Sequence, residues 1–289
     1  MSGRRGISLW PFAVVLPFTL HSALHTPHWE NPLTCRTPSR KVRLAMGRRS
    51  DRTSLPRAQI RLTTASLQRG ERVRVKICGV TSPEAARAAA EAGADAIGLV
   101  FAESPRRVSV AVAARIVEAL PPWVAPVGVF VDAAAAEVRR IAAEVGLAAV
   151  QLHGEEPPRD LPELGRLKVI KVFAVASEGA LETARTWRDE AETGRPPDAW
   201  LVDAGVSGGP KGGTGRTADW TLAARMAEEG FWPLILAGGL GPENVAEAIR
   251  TVRPWAVDGS SALESSPGRK SPEKIRAFVI AVRWASPER

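Results

Sequence analysis

The sequence predicts an α/β fold: a single closed barrel of eight strand–helix units, a (β/α)8 TIM barrel, preceded by an extension that does not share its pattern. Three observations carry this expectation. From residue 73 to the C-terminus, short β-branched runs alternate eight times with Ala-, Glu- and Arg-rich amphipathic stretches. The runs are almost continuously apolar, as parallel strands are when helices cover them. An open doubly wound sheet would carry a GxGxxG fingerprint after its first strand, and none is present.

In order, the strands are expected at residues 73–77, 96–101, 125–131, 148–152, 169–175, 199–202, 233–236 and 255–257. The helices between them are expected at 83–92, 110–120, 134–145, 158–164, 179–190, 217–229, 242–252 and 272–284, with the fourth and fifth the least regular. Pro83, Pro242 and Pro272 fall where a first helical turn tolerates a missing N–H. Eight units within 217 residues favour closure over an open sheet.

Residues 1–72 stand apart as a disordered or mis-annotated extension, and residues 73–289 form the catalytic domain. The extension holds 13 Lys/Arg against 3 Asp/Glu, whereas the remainder holds 26 against 28, so the overall charge of +8 belongs wholly to the extension. The barrel therefore lacks the basic footprint of a nucleic-acid binder. Met46 or a codon near Val73 is a candidate start. A disordered tail and a cleaved targeting peptide, with Arg4-Arg5 ahead of the apolar run 7–24, are the competing readings. Pro11 and Pro17 interrupt that run and argue against a membrane span, so no membrane partner is expected; with no convincing signal, the cytoplasmic location expected for this chain follows from the pathway resemblance given below. Cys35 and Cys78 cannot build a disulfide framework, and no Cys/His spacing suits a metal.

In such a barrel, chemistry sits at the C-terminal strand ends. The first strand runs into Lys76-Ile77-Cys78-Gly79, where a tight glycine turn leaves the thiol facing the mouth. A thiolate there could remove a proton, if cationic neighbours lower its pKa; a buried structural cysteine is the alternative. Arg106 and Arg107 lie on the loop after the second strand and suit a carboxylate or phosphate, or form a solvated pair. His153, the one histidine of residues 73–289, reads as scaffold rather than catalyst. Asp203 ends the sixth strand, where a partly buried carboxyl could serve as a general acid. The glycine-rich run 208–217 fails P-loop spacing but suits closure over an anion. Gly238-Gly239 and Gly259-Ser260-Ser261 end the seventh and eighth strands, the place where backbone N–H groups of such barrels hold phosphate.

These residues resemble one family, phosphoribosylanthranilate isomerase of tryptophan biosynthesis. The resemblance rests on VKICGVT (75–81), GADAIGLVFAESPRRVS (93–109), VGVFVD (127–132), VQLHGEE (150–156), LVDA (201–204), GGTGRTADW (212–220), LAGGLGPENV (236–245) and VDGSSALESSPGRK (257–270). It implies an Amadori rearrangement of N-(5-phosphoribosyl)anthranilate to 1-(2-carboxyphenylamino)-1-deoxyribulose 5-phosphate, with no cofactor and no metal. It further implies that Asp203 is the acid that opens the ribose ring, Cys78 the base at C2, and Arg106 the anthranilate carboxylate ligand. Gly238, Gly239, Ser260 and Ser261 then fall in the phosphate-loop motifs. The cations expected to favour a Cys78 thiolate are Arg106 and the phosphate-loop N–H groups.

The family's VSSGVE reads Gly259-Ser260-Ser261-Ala262-Leu263-Glu264 here, and its Phe before Asp-Trp is Ala218. The added methyl of Ala262 is expected to change φ or crowd the phosphate. Two other functions stay open: the related aldose–ketose isomerase of histidine biosynthesis, and a non-catalytic phosphate-ligand barrel. The expected partner is a small phosphoribosyl substrate, on a monomer or homodimer.

Overall fold

The computed structural model describes residues 72–204 and 220–286. Eight parallel strands close into a barrel in sequence order: β1 (Arg74–Cys78), β2 (Ala96–Val100), β3 (Ala125–Phe130), β4 (Ala149–Leu152), β5 (Lys168–Ala174), β6 (Ala199–Asp203), β7 (Leu234–Ala237) and β8 (Ala256–Gly259). Closure is made by β8 on β1, which pairs Lys76 with Asp258 in register.

The helices are α1 (Pro83–Ala92), α2 (Val110–Glu118), α3 (Ala135–Val145), α4 (Glu178–Glu192), α5 (Thr221–Glu228), α6 (Val245–Val252) and α7 (Pro272–Ala285). Their starts are written locally. The Ser82, Ser109, Ser177 and Ser271 side chains each accept an N–H of the first turn, at the ends that begin α1, α2, α4 and α7. Gly93 ends α1 at φ 97°, a left-handed stop that costs glycine little.

The fourth unit has a 3₁₀ helix, Pro158–Leu164, with Pro162 inside it, matching its expected irregularity. The fifth expectation fails. Over Glu178–Glu192, α4 is a regular α-helix of 15 residues, because its Ala, Glu, Leu and Arg content outweighs Gly179 and the threonines. Pro242 also lies ahead of its helix rather than in its first turn. There Asn244 accepts the Gly241 N–H at 2.8 Å through its side-chain oxygen, and α6 begins only at Val245. A short antiparallel hairpin, β9 (Glu264–Ser266) with β10 (Arg269–Lys270), follows β8 and was not expected.

Strand alternation divides the buried residues into two layers. Val75, Ile77, Ile97, Leu99, Val150 and Val257 pack outward beneath the helices. Val127, Ile170, Val172, Leu201, Ile235, Ala237 and Ala256 fill the barrel interior. By the same period of two, Lys76 and Cys78 of β1, Asp203 of β6 and Asp258 of β8 belong to the interior side. Residues 1–71 of the extension, the glycine-rich run 208–217 and Ala218 lie outside the described residues.

Candidate active site

Cys78 closes β1 at the C-terminal rim and is half-buried; Gly79 follows at φ 73° and turns the chain away. The sulfur has room because its neighbour in register on β2 is Gly98: a methyl there would come within 2.7 Å of Sγ. Ser260 donates its hydroxyl to the Cys78 carbonyl at 3.2 Å, so the loop after β8 is hydrogen-bonded to the end of β1.

Beneath the thiol lies a buried ion pair. Lys76 Nζ stands 2.6 Å from Asp258 Oδ2, and both side chains are almost fully enclosed. Lys76 stands two residues before Cys78 on the same strand face, so the charge of its ammonium acts on the thiol. Burial alone would lower the pKa of Lys76, but Asp258 and Cys78 together outweigh it, and the lysine stays charged. Burial pushes the Cys78 thiol above its ordinary value, opposed chiefly by Lys76 and, farther off, by Lys270.

A second charged cluster covers the rim between β8 and β2. Glu264 receives Arg106 in a two-pronged contact, Nε to Oε1 at 2.7 Å and Nη2 to Oε2 at 2.8 Å. Lys270 donates to Glu264 Oε1 at 2.8 Å and to the Ser260 carbonyl at 3.0 Å. Burial raises the pKa of Glu264, but the hydrogen bonds from Arg106 and Lys270 more than reverse it, so the net direction is down and the carboxylate is held ionised. The hairpin turn joins this cluster: Thr81 donates to the Gly268 carbonyl at 2.7 Å, and Gly268 sits so close to the Pro105 carbonyl that any Cβ would intrude.

Asp203 ends β6, half-buried, with Ala237 of β7 beside it in register. Gly238 and Gly239 turn the chain after β7 at φ 96° and 63°, and nothing stands within 4 Å of where a Gly239 side chain would begin. Ser260 is half-buried and Ser261 exposed on the adjoining loop. His153 shares a contact of 3.2 Å with Gln151 and points to the same mouth.

The structure thus brings all seven expected residues to one rim, and it corrects two expectations. The cation that acts most strongly on Cys78 is Lys76 from its own strand, whereas Arg106 is engaged by Glu264. Ala262 lies within the 3₁₀ turn Ser261–Leu263, and it is not among the described non-glycine residues with positive φ, which are Asp132 and Arg253. Gly259 is explained by packing: Leu263 Cδ1 stands 2.6 Å from where its Cβ would be, so the larger Leu263 fills that space.

Residues 75–281 match the family model described as N-(5'phosphoribosyl)anthranilate (PRA) isomerase. The chain is 48% identical over 208 residues to the N-(5'-phosphoribosyl)anthranilate isomerase of Geobacter sulfurreducens, covering 72% of this chain and 97% of that one. Its fold is similar to the phosphoribosyl anthranilate isomerase of Thermotoga maritima, with a TM-score of 0.66 and 42% identity over 73% of this chain and 99% of that one. It is also similar, with a TM-score of 0.64 and 40% identity over the same shares, to an isomerase of this name solved with reduced 1-(o-carboxyphenylamino)-1-deoxyribulose 5-phosphate. With motif, barrel and rim in agreement, the chain belongs to the phosphoribosylanthranilate isomerase family.

Proposed function

We propose that this barrel catalyses the Amadori rearrangement of N-(5-phosphoribosyl)anthranilate, with Asp203 as general acid and Cys78 as general base. Asp203 gives a proton to the ribose ring oxygen as the C1–O bond breaks, leaving an open-chain Schiff base. The Cys78 thiolate then takes the proton from C2, and the resulting enolamine tautomerises to the ketone. The observation that carries this reading is that both groups end interior-facing strands, β1 and β6, on one rim.

Arg106 is the ligand of the substrate carboxylate. Glu264 occupies its Nε and Nη2, which fixes the guanidinium plane and leaves Nη1 for the substrate. The phosphate is received by the N–H groups of Gly238-Gly239 and Ser260-Ser261. The positive φ of both glycines and the open space above Gly239 support a close anion approach. All these groups come from one chain, so a monomer or a homodimer serves equally. Among the described residues no helix is long and apolar enough to cross a membrane, and we assign the protein to the cytoplasm with its pathway.

The test is turnover of the full chain on N-(5-phosphoribosyl)anthranilate. Cys78→Ala and Asp203→Asn should each lower kcat by about 10²–10⁴-fold with an unchanged far-UV spectrum. Near-normal turnover in both would sink the mechanism. Turnover only on the histidine-pathway aminoaldose would move the substrate.

A further inference from the structure

Inside the barrel, Lys76 is a charged side chain in a strand that is otherwise apolar, two residues before Cys78 and on the same face. A lysine this deeply enclosed is expensive unless it is paired, and Asp258 pairs with it at 2.6 Å. The pairing is incomplete on the carboxylate side. Asp258 Oδ2 takes the lysine, while Oδ1 is buried with no hydrogen-bond partner among the described residues. A pair kept for stability alone would be expected to use both oxygens. Cys78 is the next side chain along the same face, and its neighbour in register on β2 is Gly98, where any side chain would press on the sulfur.

We propose that Lys76 is a positioning residue for the reaction: its ammonium, anchored by Asp258, stabilises the thiolate of Cys78. This rests on the reading of Cys78 as the base. The charged groups around the sulfur are Lys76 from β1, Asp258 from β8, Lys270 from β10 and Arg106 from the loop after β2. Each of the three cations is held by a carboxylate, Lys270 and Arg106 by Glu264 and Lys76 by Asp258, but Lys76 alone shares the strand and the face of Cys78. The thiol releases its proton to solvent before substrate binds, and the ammonium offsets the resulting charge.

The experiment reads the ionisation of Cys78 directly. The full chain carrying Cys35→Ser has a single thiol, and its alkylation by iodoacetamide is followed by intact mass as a function of pH. Lys76→Met should move the midpoint up by about one pH unit or more, slowing alkylation about tenfold at a fixed pH below it. Asp258→Asn removes a negative neighbour and should move it down. Opposite directions are the signature, because damage to a merely structural pair would shift both variants the same way. The double variant Lys76→Met/Asp258→Asn leaves no lone buried charge and guards against a single variant that does not fold. Its midpoint should lie above that of the parent but below Lys76→Met. An unmoved or lowered midpoint in Lys76→Met, or in the double variant, overturns the proposal. Should Cys78→Ala retain turnover, the base assignment fails while the alkylation result still stands or falls by itself.

Discussion

Two buried lysine–carboxylate pairs sit on nearly opposite strands of this barrel, and they are built to different standards. Lys171 of β5 faces outward, beneath the helices. It donates to Glu156 Oε2 and to the Gly154 carbonyl, each at 2.7 Å, and lies 5.9 Å from the ring centres of Phe173 and Trp187. Glu156 in turn accepts the backbone N–H groups of Asp132 and Gly154, and its own carbonyl accepts the Trp187 indole N–H at 3.1 Å. Both of its carboxylate oxygens are used. Lys76 of β1 faces inward, and its partner Asp258 keeps one oxygen without a hydrogen-bond partner. The saturated pair fastens the loop after β4 to the barrel wall. The unsaturated one is the pair given a role at Cys78, a catalytic role being one of the recognised reasons for a buried polar atom without a partner.

The comparison can be broken from either side. The largest effect expected on stability is for Glu156→Ala, which strands Lys171 and two backbone donors at once. Unfolding free energy should fall by about 3–5 kcal/mol, measured in urea, while kcat per folded molecule changes less than about twofold, since the hydrogen bonds of this network run among Asp132, Gly154, Glu156, Lys171 and Trp187 and none goes to Cys78. A large kcat loss at unchanged stability would erase the distinction. Next comes Arg106→Lys. A lysine cannot reproduce the two-pronged contact with Glu264, so KM should rise about tenfold to a hundredfold with a smaller change in kcat. An unchanged KM would remove Arg106 from the carboxylate site. The smallest and most diagnostic effect is in pH dependence. Burial holds the Cys78 thiol above its ordinary pKa, so the fraction of thiolate grows as pH rises. For the free enzyme, kcat/KM should therefore increase with pH into the alkaline range before it levels. A profile falling across that range would contradict a thiolate base.

Much of the barrel is written in its apolar runs. Each strand begins and ends within about two residues of where β-branched residues cluster, because a strand covered on both faces has no polar side to blur its edges. The rim positions of Cys78, Asp203, Gly238 and Gly239 were legible for a related reason: apolar runs show where parallel strands end, and in a barrel those ends share one rim. The hairpin Glu264–Ser266 with Arg269–Lys270 was not legible, since its strands of three and two residues are polar and carry no periodicity. Lys76 and Asp258 were hidden differently. Each is one charged residue inside a buried run, and the contact that explains them spans 182 residues of sequence. The alternation of Val75, Lys76, Ile77 and Cys78 was a usable sign, because it puts the lysine and the cysteine on one face. The regularity of α4 was not foreseen, although the helix formers that follow Gly179 were there to show it.

The hairpin after β8 has a consequence for the order of events at the rim. It holds Thr81 beyond β1, the Pro105–Arg106 loop beyond β2 and the end of β8 in one arc through contacts made wholly within the chain. The spacing between the guanidinium that would meet the anthranilate carboxylate and the sulfur that would meet C2 is therefore set by the fold. Substrate binding does not have to order these three loops. The entropy of assembling them is lost once, during folding, and more of the intrinsic binding energy remains for opening the ribose ring.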